Sequence, residues 1–306
     1  MAPIQFGWVV PAGPRDAAAR GTFVADVRRA LDMIADRFDS FWMTDHLQFN
    51  QQDVLECWTV LSYFAAVQPT LRFGAAVLGQ SYRNPALTAK MAATLQFLSG
   101  GRLLFGIGAG WKEDEYHAYG YDFPSRGVRV DQLDEALQII KALWTDEQAT
   151  FQGRYYQIEQ AHCEPKPAPL PPMVIGGSKP RMLRLIARHA DWWNVSWTGI
   201  DDYRAQAAEL ARACAEVGRD PTTLRRTWFG PCACAPTEAA AQTLANGRFT
   251  SANGFLGTPE QVIAQMRSFV EIGVDYFMVG SAGFPDMTTL ELLLNQVLPA
   301  LNAEFG

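Results

Sequence analysis

Short apolar runs alternate along this chain with longer stretches whose apolar side chains recur at three- and four-residue steps. The first run, 4–10, reads as a strand, and Val24, Val27, Leu31 and Ile34 then share one face of a helix. Further strands are predicted at 40–44, 72–78, 103–107, 173–175, 192–196, 224–233 and 276–279. Helical stretches separate them at 55–67, from Asn84-Pro85 onward, at 128–144, 180–189 and 202–217, after Thr258-Pro259-Glu260-Gln261, and at 287–301. Asn84 and Pro85 supply a cap and a first-turn proline. Thr258 and Gln261 form a capping box, with Pro259 at the first helical position. The clearest helix is 128–144, where Val130, Leu133, Leu137, Ile140 and Trp144 make a core-facing stripe.

Two stretches break the rhythm. Residues 148–158, turning at Gln152-Gly153, read as a small hairpin, and the proline-rich 165–172 reads as a rigid surface crossing. Because the alternation resumes at once, the chain is expected to form one domain over 1–306. Eight strands with helical crossovers predict an α/β fold, a single (β/α)8 TIM barrel with a hairpin excursion before strand five. A doubly wound open sheet is the alternative.

Composition narrows the classes. A chain of 306 residues, 48% apolar and 19% charged, suits one large core. Twenty-six basic against 32 acidic side chains give a net charge of -6, and with no Lys/Arg run a nucleic-acid surface is not expected. No apolar run approaches the roughly 18 residues of a membrane span. The opening residues lack a charged leader followed by an apolar stretch, so no signal peptide is expected. Cys57, Cys163, Cys214, Cys232 and Cys234 are odd in number and scattered, which reads as reduced thiols in a cytoplasmic protein. Cys232 and Cys234 share a strand face, but no second pair stands at ligand spacing, so no metal site is expected.

In such a barrel the chemistry belongs to the carboxyl ends of the strands. That rule selects Thr44-Asp45-His46, Gly79-Gln80, Gly108-Ala109-Gly110-Trp111, Gly176-Gly177-Ser178 and Ser196-Trp197. His46 reads equally as a proton donor or as a structural hydrogen-bonder, and Asp45 as its assistant or as a turn cap. Gly176, Gly177 and Ser178, just ahead of a helix, form either an anion site or an ordinary strand-to-helix turn. Gly108 and Gly110 would admit a flat ring close to the backbone, although a bare G-x-G lacks the third glycine of a dinucleotide fingerprint. Most of the nine tryptophans must be core, but Trp111 and Trp197 fall just past strand ends, where rings can wall an apolar pocket. Glu113, Asp114 and Glu115 read as a solvated acidic turn, and His189 as a helix-end cation.

Several strings together resemble the bacterial luciferase-like superfamily. They are Phe41-Trp42-Met43-Thr44-Asp45-His46-Leu47, Tyr82-Arg83-Asn84-Pro85, Ser99-Gly100-Gly101-Arg102-Leu103, Gly106-Ile107-Gly108-Ala109-Gly110-Trp111, Phe151-Gln152-Gly153-Arg154-Tyr155-Tyr156 and Ile175-Gly176-Gly177. The likeness covers nearly the whole chain and is strongest over 38–197, with the coenzyme F420-dependent subgroup the nearest in flavour. It implies a homodimeric barrel that moves a hydride between F420 and a small organic substrate, with His46 near the ring. It also implies a non-proline cis peptide at Gly79-Gln80 behind the ring. Gly177 and Ser178 would bind the cofactor phosphate, and Gly108 and Gly110 would lie near the ring or its chain. Several FMN-using members place a Tyr on the helix after strand four, where this chain has Val130 after Arg129, which tilts the cofactor toward F420. The rival readings are an FMN-dependent monooxygenase and a non-catalytic flavin-binding protein of the same fold. A barrel aldolase is disfavoured because no lysine falls at a predicted strand end.

Overall fold

The computed structural model describes residues 3–306. Eight parallel strands form the barrel: β1 (Gln5–Val9), β2 (Ser40–Met43), β3 (Arg72–Ala75), β4 (Leu103–Gly108), β5 (Met173–Gly176), β6 (Trp192–Ser196), β7 (Arg225–Cys234) and β8 (Val274–Ser281). Each pairs with the next, and β8 returns to β1 with Gln5 opposite Tyr276 and Trp8 opposite Val279. The sheet is therefore closed, and the doubly wound alternative falls. Helices α1 (Phe23–Ile34), α2 (Cys57–Val67), α3 (Pro85–Leu98), α4 (Arg126–Thr145), α5 (Pro180–His189), α6 (Ile200–Glu216) and α7 (Pro259–Val270) form the crossovers, and helical turns over 288–305 close the ring.

The local signals act as expected. Asn84 accepts from the Ala86 and Leu87 amides ahead of Pro85, and the Thr258–Gln261 capping box is formed in both directions. The hairpin pairs Ala149–Gln152 with Gln157–Ala161. Inside the barrel, Trp42 is fully buried and lies where Gly7 and Gly74 leave room, because a Cβ on either glycine would collide with its ring. At the amino-terminal end, Arg225 pairs with Asp275 at 2.8 Å and stacks over Trp192 and Tyr276, sealing that opening. The other end stays open.

Four expectations need correction. Strand three stops at Ala75 and pairing with β4 resumes only at Leu78–Gly79. The non-proline cis peptide lies in that interruption, at Ala76–Val77 and not at Gly79–Gln80. Its position follows the backbone, since the Ala75 carbonyl presses into the space left by Gly106 and Val77 rises between Gly108 and Gly176. The acidic stretch is no solvated turn: Glu113–Ala118 is a helix that buries Glu115. A further helix, Glu238–Ala245, and a short strand, Phe255–Gly257, stand between the seventh strand and Thr258, where no element was predicted.

Candidate active site

The loops after β2 to β6 are neighbours around the open end, because their strands pair in that order. His46, Gly79, Gln80, Gly108, Gly110, Trp111, Gly176, Gly177, Ser178 and Trp197 thus share one rim. At its centre the His46 Nδ1 meets Glu115 Oε1 at 3.0 Å. The Glu115 carboxylate also accepts from the Leu47 amide at 2.9 Å and from the Tyr82 hydroxyl at 2.7 Å, and the residue is 1% exposed. Burial and the hydrogen bond to Glu115 push the Tyr82 phenol well above its ordinary value, so it serves as a fixed donor. A carboxylate only accepts, so Nδ1 carries the hydrogen in this contact. His46 Nε2 has no protein partner among the described residues. The edges of Phe49, with ring centres 5.2 Å apart, and of Trp111, at 5.7 Å, enclose the imidazole.

Asp45 turns the other way. It accepts from the Gly79 amide at 2.8 Å and takes a two-pronged pair from Arg83 at 2.8 and 2.9 Å. Arg83 reaches on to Glu56, which caps α2 through the Trp58 and Thr59 amides. A buried ion pair costs desolvation, and three elements locked to one another offset it. Asp45 orients the loop that carries His46 and makes no hydrogen bond to the imidazole itself.

The glycines divide into two groups. A Cβ on Gly108 or Gly176 would stand 2.8 or 3.2 Å from Val77, so these positions leave bare backbone around one half-buried aliphatic side chain. Gly177 adopts φ +153° and leads to Ser178, ahead of the first turn of α5, where the N-cap Lys179 makes no side-chain bond and Pro180 follows. Gly110 differs: at φ +74° its missing Cβ makes room for the Tyr116 hydroxyl, which bonds to Ser81 at 2.9 Å. Gly79 leaves room for the Tyr82 ring. Gln80 is buried, with Nε2 donating to Tyr156 and Oε1 lacking a partner among the described residues. Trp111 is 67% exposed after β4, and Trp197, at φ +53°, is 46% exposed after β6.

On the β1, β7 and β8 side the mouth opens into a cleft of about 790 Å³. Phe249 lines this cleft, Phe49 lies against His46, and Phe255 is buried against Trp228. Glu115, Arg83 and Val77 escaped the sequence reading. Only Tyr116 and Tyr119, one helical step apart, hinted that the acidic stretch folds back.

A profile of luciferase-like monooxygenases matches residues 4–254. The chain belongs to that family. Among its relatives is the F420-dependent hydroxymycolic acid dehydrogenase of Mycobacterium tuberculosis, 32% identical over 74% of this chain and 63% of that protein. Another is the F420-dependent glucose-6-phosphate dehydrogenase of Kineococcus radiotolerans, 32% identical over 69% of this chain and 64% of that protein. The chain therefore spans a little under two thirds of these curated relatives' length. Among solved structures, an F420-dependent secondary alcohol dehydrogenase in complex with an F420-acetone adduct superposes with a TM-score of 0.84. At 20% identity, covering 98% of this chain and 99% of that one, it shows a shared barrel fold. No helix among the described residues is long and apolar enough to cross a membrane.

Proposed function

We propose that this chain is an F420-dependent oxidoreductase that moves a hydride between the deazaflavin and a small organic substrate, with His46 handling the proton. The observation that carries the reading is the His46–Glu115 pair standing beside the bare floor of Val77, Gly108 and Gly176. The residues fit the cofactor. Gly108 and Gly176 present backbone without side chains to a flat ring, the unpartnered Gln80 Oε1 is an acceptor for a ring N–H, and Gly177, Ser178 and the first turn of α5 offer donors to a phosphate. Relatives named for F420 support the same choice. Val130 packs against the core and offers no hydroxyl to a phosphate, which favours F420 over FMN.

When bound, F420 supplies a ring that carries two electrons as hydride. The rest is done by this chain. Glu115 fixes the His46 tautomer, so Nε2 takes the hydroxyl proton in the oxidising direction and returns it in the reducing one. Phe49 and Trp111 limit water around the imidazole. Asp45, through Arg83 and the Gly79 amide, holds the supporting loops.

Two further parts belong to this reading. The chain works as one domain and as a homodimer, supported by apolar side chains exposed along α2 and α3. It works in the cytoplasm, supported by five buried cysteines, none in a disulfide. Titration of the purified chain with F420 and with FMN, followed by ligand fluorescence, tests the cofactor. Saturable F420 binding with weaker or no FMN binding is expected. Tight FMN binding with no F420 binding ends the proposal. Single-turnover oxidation of bound reduced F420 by a panel of ketones, compared between the wild type and His46→Ala, separates the enzyme from a passive carrier.

A further inference from the structure

We propose that the cleft on the β1, β7 and β8 side of the mouth is the substrate half of the site, and that it takes a neutral, largely apolar secondary alcohol or its ketone. The alcohol–ketone pair rests on the F420 reading above; the apolar, uncharged character rests on the cleft alone. The mouth is split. The glycine floor and Ser178 belong to the ends of β3, β4 and β5, whereas the cleft begins at Val9 and Val10 at the end of β1 and at Gly230 and Gly280 on β7 and β8. The two halves meet at Trp197 and at Thr44, two residues before His46. A molecule in the cleft therefore lies across that border from the floor.

The walls set the class. Pro11, Phe23, Phe229, Leu244, Phe249 and Phe284 give an apolar surface, and about 790 Å³ suits a molecule of drug-like size. The charged side chains around it are three acids and two arginines, and all but Arg248 have a charged or capping partner. Asp26 pairs with Arg29 at 3.2 Å, Asp53 with Arg20 at 2.7 Å, and Arg15 with Asp16 at 3.1 Å. Asp286 caps the Thr288 amide, and Arg248 donates to the Leu244 and Ala245 carbonyls while keeping its charge. No lysine lines the cleft. A phosphate or carboxylate brought here would face Asp26, Asp53 and Asp286 as well as Arg15 and Arg248, so it would lose water for no net attraction, whereas an apolar body gains by leaving water.

The test is calorimetric titration of the whole chain, with and without F420, using menthone as the neutral bulky ketone and glucose 6-phosphate as the charged competitor. Menthone is expected to bind with Kd below about 1 mM, and glucose 6-phosphate about ten-fold more weakly or not at all. Leu244→Lys puts a charge on the wall and should weaken menthone about ten-fold. Leu244 is half-buried, so Thr243→Trp, a bulky ring at an exposed position on the same helix, gives a second reading independent of how Leu244→Lys folds. Tighter binding of glucose 6-phosphate, no heat with menthone, or menthone affinity within about two-fold of wild type in both variants overturns the assignment. The two readings fail separately. Menthone binding sensitive to these variants without F420 binding overturns the cofactor and upholds the cleft. F420 binding with menthone indifferent to them does the reverse.

Discussion

The lever at the residue scale is Glu115. It touches the chemistry only through His46, so it is a positioning residue. Glu115→Gln keeps the shape but substitutes an amide that both donates and accepts, so Nδ1 is no longer compelled to carry the hydrogen. We expect kcat to fall about ten- to hundred-fold with KM nearly unchanged, while nitrogen-15 NMR of His46 shows two tautomers in place of one. A fall in kcat with the tautomer unmoved would mean that Glu115 serves only to pack the loop. His46 was legible in the sequence because a strand end places it whatever its neighbours are. Glu115 was not, because three acids in a row look solvated until a folded helix buries the third beneath Tyr82 and Leu47. Gly110 shows the same limit. Its need for glycine was readable, but that Tyr116 and not a ligand fills the gap depends on the helix Glu113–Ala118 folding back.

At the scale of elements, periodicity and caps located every barrel strand and the crossover helices, since each signal is local. What failed was short: the helices Glu113–Ala118 and Glu238–Ala245 hold too few turns to show a stripe, and the break after Ala75 depends on the neighbouring strand's glycines. One contact between elements yields a pH prediction. Asp134 on α4 accepts from His189 Nε2 at 2.8 Å and lies 3.1 Å from Arg188, both at the end of α5. The His189 hydrogen bond is the largest influence and, with the charges of Arg188 and His189, holds the Asp134 carboxyl below its ordinary value against the opposing effect of burial. A carboxyl lowered on folding binds fewer protons in the native state. Its stabilisation is therefore complete above the unfolded value, near 3.9, and is lost as pH falls through the lower folded value. Asp134→Asn should cost about 1 kcal/mol at pH 6, roughly 2 °C in Tm. The difference from wild type should shrink toward zero in melts near pH 3, and a gap constant down to that pH would rule out the ion pair as its cause.

At the scale of the whole molecule, a closed barrel gathers five consecutive loops at one rim, so recognising the fold was enough to group most candidate site residues. The division of that rim into a glycine half and an apolar half was not readable, because it depends on which loops bulge inward. The outer surface carries a further consequence. Crossover helices need one apolar face, and α3 spends Ala89, Ala92, Ala93 and Gln96 on its inner one. Yet Leu87, Met91 and Leu98 recur on another face, with Phe97 65% and Leu98 72% exposed, and Tyr63 of α2 is also exposed. Trp58, Met91, Leu95 and Leu98 line a groove between the two helices. A monomer gains nothing from such a stripe, whereas a second copy laid against it removes apolar surface from water on both sides. Sedimentation at micromolar concentration should therefore give twice the chain mass for the wild type and the single-chain mass for the Phe97→Glu, Leu98→Glu double variant. Both side chains are exposed in the single chain, so a monomeric double variant should keep its barrel and its F420 affinity. A wild type that sediments as one chain, or a double variant that still pairs, would show that this face is not where two copies meet.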